Sequence, residues 1–309
     1  MGAQVGGWSV RKRLAVGAAL AALLVAGVVW RLFYDAGPAA QGVRRIDLAA
    51  VRAEAARLPG PGPERIEVEI LSHDAVPRIA MVAGSDWNEV DLVRARYRLV
   101  WPRGSVVVDA GEDEANARAF GVDRFDRGAR ERVLWAMEGA SAIVVTHEHG
   151  DHLGGALTSP RLAALLPKLR LTPEQIAGSA ADWPAALRDR PAPFTYQAMR
   201  AVAPGVVLVK APGHTPGSQM IFVRRSDGRE FLFLGDTASM IDNVRFGRQR
   251  SRLVTRFMSG DDRAAAAALL QGLRETSRAN PALVMVPGHD GPFVEALIRR
   301  GLLVRGFRR

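Results

Sequence analysis

The sequence predicts an α+β domain of mixed sheets with interspersed helices, preceded by one membrane-crossing helix. Three observations carry that prediction. An uncharged run, Leu14–Trp30, directly follows three consecutive basic residues. From Glu64 onward, β-branched strand segments alternate with helical ones and meander, which argues against a single doubly wound parallel sheet. Histidine, present six times in 309 residues, recurs just past the ends of those strand segments.

The elements follow in order. Leu14–Trp30 is 17 residues, about 25 Å of helix against a hydrocarbon core of about 30 Å, and Leu32, Phe33 and Tyr34 close the gap if Arg31 snorkels. Trp8 and Trp30 then lie near the two interfaces. Arg11-Lys12-Arg13 predicts a cytoplasmic N-terminus and a translocated bulk, which puts the main domain in the periplasm or another extracytoplasmic space. Secretion after signal cleavage is the alternative, with Gly37-Pro38-Ala39-Ala40 offering small residues to a peptidase, although the apolar run exceeds the usual h-region of about 7–15 residues. The chain therefore divides into an anchor or signal segment (1–34), a linker (35–62) rich in Pro and Gly around the helix-favouring Leu48–Leu58, and a catalytic domain (63–309).

Within that domain Ile66–Leu71, Tyr97–Trp101, Ser105–Asp109 and Ala142–Thr146 are expected as strands, and Phe125–Glu138 as a helix. Thr172-Pro173-Glu174 opens another helix with a capping threonine and a first-turn proline. Val206–Ala211, Gln219–Arg225, Glu230–Leu234 and Leu283–Pro287 complete the strands, and Ser226-Asp227-Gly228-Arg229 marks a hairpin. Asp262–Arg278 and Pro292–Arg300 are helical.

Composition bounds the chemistry. With 48% hydrophobic and 24% charged residues, the chain is neither disordered nor polytopic. It has no cysteine, which excludes disulfides, thiolate zinc, a cysteine nucleophile and iron–sulfur clusters, so any metal must sit on histidine and carboxylate. The net charge of +10 is nearly all arginine, the only lysines being Lys12, Lys168 and Lys210. Residues 1–60 hold eight basic against three acidic residues, half of that excess, and no aromatic-interleaved basic module is visible, so no nucleic-acid partner is expected.

The chemistry concentrates in Thr146-His147-Glu148-His149-Gly150-Asp151-His152, directly after a buried-type strand. Imidazole and carboxylate are donors that zinc, manganese or iron accept without thiolates. His214 and His289 each follow a β-branched strand and a Pro-Gly turn, and Asp236 ends a third such strand. His73 stands alone on a polar stretch and reads as structural or exposed.

This order, H-x-H-x-D-H followed by His, Asp and His, resembles the metallo-β-lactamase-fold hydrolase superfamily over roughly residues 64–300, including Asp109-Ala110-Gly111 and His214-Thr215-Pro216-Gly217-Ser218. The resemblance implies a four-layer αββα sandwich with two divalent metal ions, zinc first, in the cleft between its halves. It implies that His147, His149 and His214 hold the first metal, that Asp151, His152 and His289 hold the second, and that Asp236 bridges. A metal-bridging hydroxide would then attack the carbon of a polarised carbonyl or the phosphorus of a polarised phosphoryl group without a serine nucleophile, and Asp151 would shuttle a proton to the leaving group.

Asp236 separates the chain from true β-lactamases of this fold, which generally carry cysteine or serine there, and points to the lactonase and glyoxalase II-like branch. Glutathione thioesters are mainly cytosolic and suit an exported domain poorly, whereas Gly288-His289-Asp290 matches the lactonase ending. A lactone or carboxylic ester is the first expectation for the small-molecule substrate, a phosphodiester the second. A mononuclear iron oxygenase needs fewer ligands than are present, and a catalytically dead binding protein would not keep all seven. Arg245, Arg248, Arg250, Arg252 and Arg256 form either a solvated basic face or a loop that receives an anion or lipid headgroup. Trp183, Tyr196, Met240 and Phe246 are candidates for the substrate pocket or for ordinary core.

Overall fold

The computed structural model describes residues 8–37, 42–187 and 191–308. The basic-flanked apolar run forms helix α1 (Val10–Val29), whose first turn is capped by the Ser9 hydroxyl, and it continues through a π-helical turn, Trp30–Tyr34. No residue of α1 is buried, and Val10–Tyr34 is long and apolar enough to cross a membrane. The residues a signal peptidase would need, Pro38-Ala39-Ala40, lie outside the described residues.

The segment taken as linker at 35–62 is not a free stalk. It contains α2 (Leu48–Ala55), capped by Asp47, and its Leu48, Val51 and Ala55 are buried in one cluster with Val207, Phe222 and Leu232. Apolar residues at i, i+3 and i+7 make one helical stripe, and a stripe must be covered. Arg52 pairs with Glu230 at 2.7 Å, and Glu54 accepts the Ala201 amide at 3.0 Å, which fixes the helix to the sheet beneath.

Strands β1 (Arg65–Pro77), β2 (Glu89–Val100), β3 (Ser105–Val108), β4 (Arg124–Phe125) and β5 (Ala142–Val144) belong to one sheet. Strands β6 (Met199–Ala203), β7 (Val206–Lys210), β8 (Gln219–Arg224), β9 (Glu230–Gly235) and β10 (Val284–Pro287) form the second, and β11 (Val304–Arg305) returns to the first. The orders are β11-β1-β2-β3-β5, with β4 paired to β1, and β10-β9-β8-β7-β6. Both sheets are mixed: β1–β11, β3–β5 and β9–β10 are parallel, and the other pairs antiparallel. β1 runs six residues beyond its expected end because a bulge between Ile70 and His73 lets it turn and keep pairing with β2. β6 was not expected. Met-Arg-Ala-Val-Ala has a single β-branched residue, and the strand exists because β7 pairs with it at the sheet edge.

The remaining helices are α3 (Arg78–Met81), α4 (Glu114–Ala119), α5 (Arg127–Gly139), α6 (Gly154–Leu157), α7 (Leu162–Leu165), α8 (Pro173–Gly178), α9 (Ile241–Phe246), α10 (Arg252–Phe257), α11 (Arg263–Ala279) and α12 (Gly291–Arg299). Ile66, Val68, Leu99 and Val144 from one sheet meet Ile221, Phe231 and Phe233 from the other. Met137, Leu153 and Leu165 cover the outer face of the first sheet over Val107 and Ile143. Leu269, Leu270 and Leu273 of α11 join α2 over the second. The layering is helix, sheet, sheet, helix: the αββα sandwich that the resemblance implied.

Candidate metal centre

Four strands deliver the cluster. The loop after β5 carries His147, His149, Asp151 and His152; the loop after β7 carries His214; Asp236 follows β9 and His289 follows β10. The strand ends of the two sheets touch here, and Gly235, at φ +51°, permits it: a Cβ at this position would stand 2.6 Å from Thr146 Cβ.

The inward-facing atoms converge. His214 Nε2 lies 3.2 Å from His147 Nε2 and 3.0 Å from His149 Nδ1. Asp236 faces both ways, with Oδ2 3.6 Å from His214 Nε2 and Oδ1 2.8 Å from His289 Nε2 and 3.6 Å from His152 Nε2. Asp151 Oδ2 is 3.4 Å from His152 Nε2 and 3.6 Å from His289 Nε2. Three sets of ligand atoms lie mutually within 4.8 Å: His147, His149 and His214; His147, Asp151 and His152; His152, Asp236 and His289.

Each imidazole except His149 has its outer nitrogen occupied, which turns the other nitrogen inward. His152 Nδ1 donates to Asp109 Oδ2 at 2.9 Å, and His289 Nδ1 to the Val93 carbonyl at 3.1 Å. His214 Nδ1 donates to Asp261 Oδ1 at 3.1 Å. The Thr146 hydroxyl accepts from His147 Nδ1 and donates to Asp109, both at 3.1 Å. Asp109 itself sits at φ +62°, the only non-glycine residue at positive φ among those described, and also accepts the Thr146 amide at 2.6 Å.

The charges fit cations. Burial first, then the neighbouring His152 and His214, hold His147 well below the usual imidazole range, and burial with Arg250 brings His214 to about 4. Both are therefore neutral near pH 7, the form that ligates a metal. Burial opposes ionisation of Asp236, but His289, His152 and Arg250 outweigh it and hold the carboxyl well below its ordinary value. His152 Nε2 and Asp236 Oδ1 are buried, aimed into the cluster and without a hydrogen-bond partner. Burial opposes a charge on His152, but Asp151 and Asp109 outweigh it and hold the imidazole well above its usual range, so the cluster favours positive charge among its donors, and hard and borderline donors of this kind suit divalent metals.

The family model of the metallo-beta-lactamase superfamily matches residues 99–289. The chain belongs to that superfamily. Solved structures with the same fold include an N-acyl homoserine lactone hydrolase with the product N-hexanoyl-L-homoserine bound at its catalytic metal centre (17% identity, TM-score 0.58, covering 76% of this chain and 96% of that one). A second is a probable metal-dependent hydrolase from Staphylococcus aureus (16% identity, TM-score 0.51, covering 75% and 91%), and a third is a dizinc quorum-quenching lactonase (13% identity, TM-score 0.50, covering 72% and 86%). No curated protein matches. Superfamily membership and the histidine–aspartate cluster make the chain a metal-dependent hydrolase.

Within this superfamily fold, the cluster opens into a cavity of about 310 Å³ walled by Val76, Met81, Leu92, Phe120, Val254 and Met258. None of the expected pocket residues lines it: Trp183 is buried among Leu153 and Leu165, Tyr196 packs on the inter-sheet core, Met240 is buried with Val82, and Phe246 is exposed. The walls come instead from the β1–α3–β2 region and Phe120, upstream of His147, and from α10 and Met258, between Asp236 and His289. The five arginines do not act as one face. Arg245 and Arg256 are exposed, Arg252 holds Asp35 at 2.8 Å, and Arg250 is buried against Asp236 (2.9 Å) and Asp261 (2.8 Å). His73 is a partly exposed partner of Asp91, away from the cluster. Sequence reasoning missed Asp261, Arg250 as a buried partner, Arg94 and Glu148. The last accepts the Thr215 hydroxyl at 2.8 Å and the Gly217 amide at 3.3 Å, joining two ligand loops.

Proposed function

We propose that this chain is a membrane-anchored, binuclear zinc hydrolase of lactones or carboxylic esters. The observation that carries the reading is Asp236, whose two oxygens face two separate groups of imidazoles. His147, His149 and His214 would hold one ion and Asp151, His152 and His289 the other, with Asp236 shared between them. Two divalent ions there would make hydroxide available from water near neutral pH and polarise the substrate carbonyl.

The chain's own groups do the rest. In the hydrolysis, a bond forms between the water oxygen and the acyl carbon, the acyl C–O bond breaks, and the water proton ends on the leaving alkoxide oxygen. Asp151 would pass that proton, a role supported by its position in the cavity lining, 3.7 Å from Arg94 Nε. An aspartate at 236 in place of cysteine or serine argues against antibiotic hydrolysis. Phosphodiester hydrolysis is the second reading, favoured by the Arg94 guanidinium in the cavity wall.

Val10–Tyr34 would supply the anchor, and Arg11, Lys12 and Arg13 in its first turn support a domain on the extracytoplasmic face. Residues 33–35 bond to the domain, which supports retention of the segment over cleavage.

The test is metal content of the full chain in detergent together with turnover of lactone, ester and phosphodiester chromogens. Two zinc per chain with lactone or ester turnover, both lost in His214→Ala, are expected. One iron with no turnover overturns the reading, and turnover of the phosphodiester alone replaces it with the second.

A further inference from the structure

We infer that the cavity mouth faces the membrane and admits an amphiphilic ester or lactone whose acyl chain is drawn from the bilayer surface. The inference rests on the hydrolase and anchor readings above.

The apolar helix does not end in a tether. Gly84 donates its amide to the Phe33 carbonyl at 2.8 Å, Trp87 Nε1 donates to the Tyr34 hydroxyl at 3.1 Å, and the Phe33 and Trp87 rings lie 4.8 Å apart. Asp35 accepts from Arg252 of α10 at 2.8 Å and also pairs with Arg31. The last turn of the spanning segment is thus fastened to α10 and to the loop after α3, which fixes the orientation of the domain on the bilayer.

α10, and α3 from which that loop departs, are also walls of the cavity. Met81 comes from α3, Val254 from α10, and Met258 caps α10. The spanning helix therefore ends against α10 and the loop after α3, next to the elements that wall the cavity.

The outer face of that wall suits an interface. Phe257 is 70% exposed, Met258 75% and Trp87 50%, and exposed Arg248 and Arg256 lie among them. Aromatic and thioether groups interleaved with arginine favour the headgroup boundary, where the apolar body leaves water and the guanidinium meets phosphate. Met258 is at once the most exposed of these and a cavity-lining residue, so the apolar surface continues from outside to inside. Inward from it, Val254, Met81, Leu92 and Val76 lead to His149, Asp151 and His289. A chain lying along that path would bring the carbonyl at its head to the cluster while its tail stays at the rim.

The absence of cysteine makes a depth measurement direct. Single-cysteine variants Phe257→Cys and Ser226→Cys of the full chain, the latter in the hairpin at the opposite end of β9, are labelled with an environment-sensitive fluorophore and reconstituted into phosphatidylethanolamine–phosphatidylglycerol vesicles. Lipids spin-labelled near the headgroup should quench the label at 257 at least about threefold more than the label at 226. In parallel, kcat/KM is measured on p-nitrophenyl dodecanoate within vesicles and on p-nitrophenyl acetate in water. Phe257→Glu should lower the first about tenfold and leave the second within about twofold. Equal aqueous exposure at 257 and 226 in a chain that floats with vesicles overturns the inference alone, as does equal loss on both esters. Failure to float overturns the anchor reading, and turnover of neither ester overturns the hydrolase reading; either removes the ground on which the inference stands.

Discussion

Asp109→Asn changes charge and hydrogen-bond direction but scarcely changes shape. Asparagine adopts the left-handed region as readily as aspartate does, so the φ of +62° adds no cost. The carboxylate uses both oxygens as acceptors: Oδ1 takes the Thr146 amide at 2.6 Å and Oδ2 takes His152 Nδ1 at 2.9 Å. An amide offers one acceptor. If its NH2 faces Thr146, a buried backbone N–H loses its partner, at a cost of about 1–3 kcal/mol. If its NH2 faces His152, that imidazole must carry its proton on Nε2, the nitrogen turned toward the cluster, and cannot ligate through it. The arrangement that keeps the buried Thr146 amide paired turns the NH2 to His152, and the affinity for zinc should then fall about 10–100-fold, the range found when an outer partner of a ligating histidine is removed, or about 1.4–2.7 kcal/mol. The assay is competition of the full chain against a fluorescent zinc chelator, with circular dichroism to show that the fold persists. A folded variant whose Kd stays within about twofold of the parent would refute the orienting role of Asp109.

Two further substitutions probe neighbouring features. In Gly288→Ala the new Cβ would stand 2.5 Å from Asp236 Oδ1 and 2.9 Å from the Gly235 carbonyl, so the shared carboxylate must move. Turnover should drop by about tenfold or more while the melting temperature changes little, and unchanged kcat would show that the carboxylate position is unimportant. Val51→Ala removes a fully buried side chain of α2 and should cost about 2 kcal/mol in urea denaturation, whereas a detached linker would register nothing.

How legible the site was depended on residue scarcity and chain locality. Five of six histidines stand at strand exits, and a rare residue in a repeated setting is readable without coordinates. The partners that orient them were not readable in the same way. Asp261 reaches His214 across 47 residues and Val93 reaches His289 across 196, and neither has a local pattern that announces the contact. The arginine segment shows the limit clearly: Arg248 and Arg250 differ only in where the loop turns, yet one is exposed and the other buried against Asp236. The strand periodicity fixed most of both sheets, but β6 and the long tails of β1 and β2 depend on pairing with neighbours and not on their own residues. The linker reading failed because Pro and Gly at its ends outweighed a three-residue apolar stripe that only the sheet beneath makes meaningful.

The arginines behind the cluster bear on whether the metal folds this protein or only arms it. Left alone, buried carboxylates would oppose assembly of the site, since desolvating each costs several kcal/mol. Here each has a guanidinium: Asp236 has Arg250 at 2.9 Å, Asp151 has Arg94 at 3.7 Å, and Asp109 has Arg96 at 3.9 Å. Such pairs do not repay their full desolvation, but they remove the net charge that would otherwise force the strand ends apart. The strands that carry the cluster are held independently by the inter-sheet core, which includes Ile66, Leu99, Phe231 and Phe233. The histidine–aspartate cluster is therefore assembled by packing and arginine pairing, in contrast to small zinc domains that are unfolded until the metal binds. Chelator treatment of the full chain should abolish turnover and leave the far-ultraviolet dichroism and a cooperative melt, with activity returning on addition of zinc. Loss of the cooperative melt on chelation would refute this, and would mean that the cations, not the arginines, neutralise the cluster during folding.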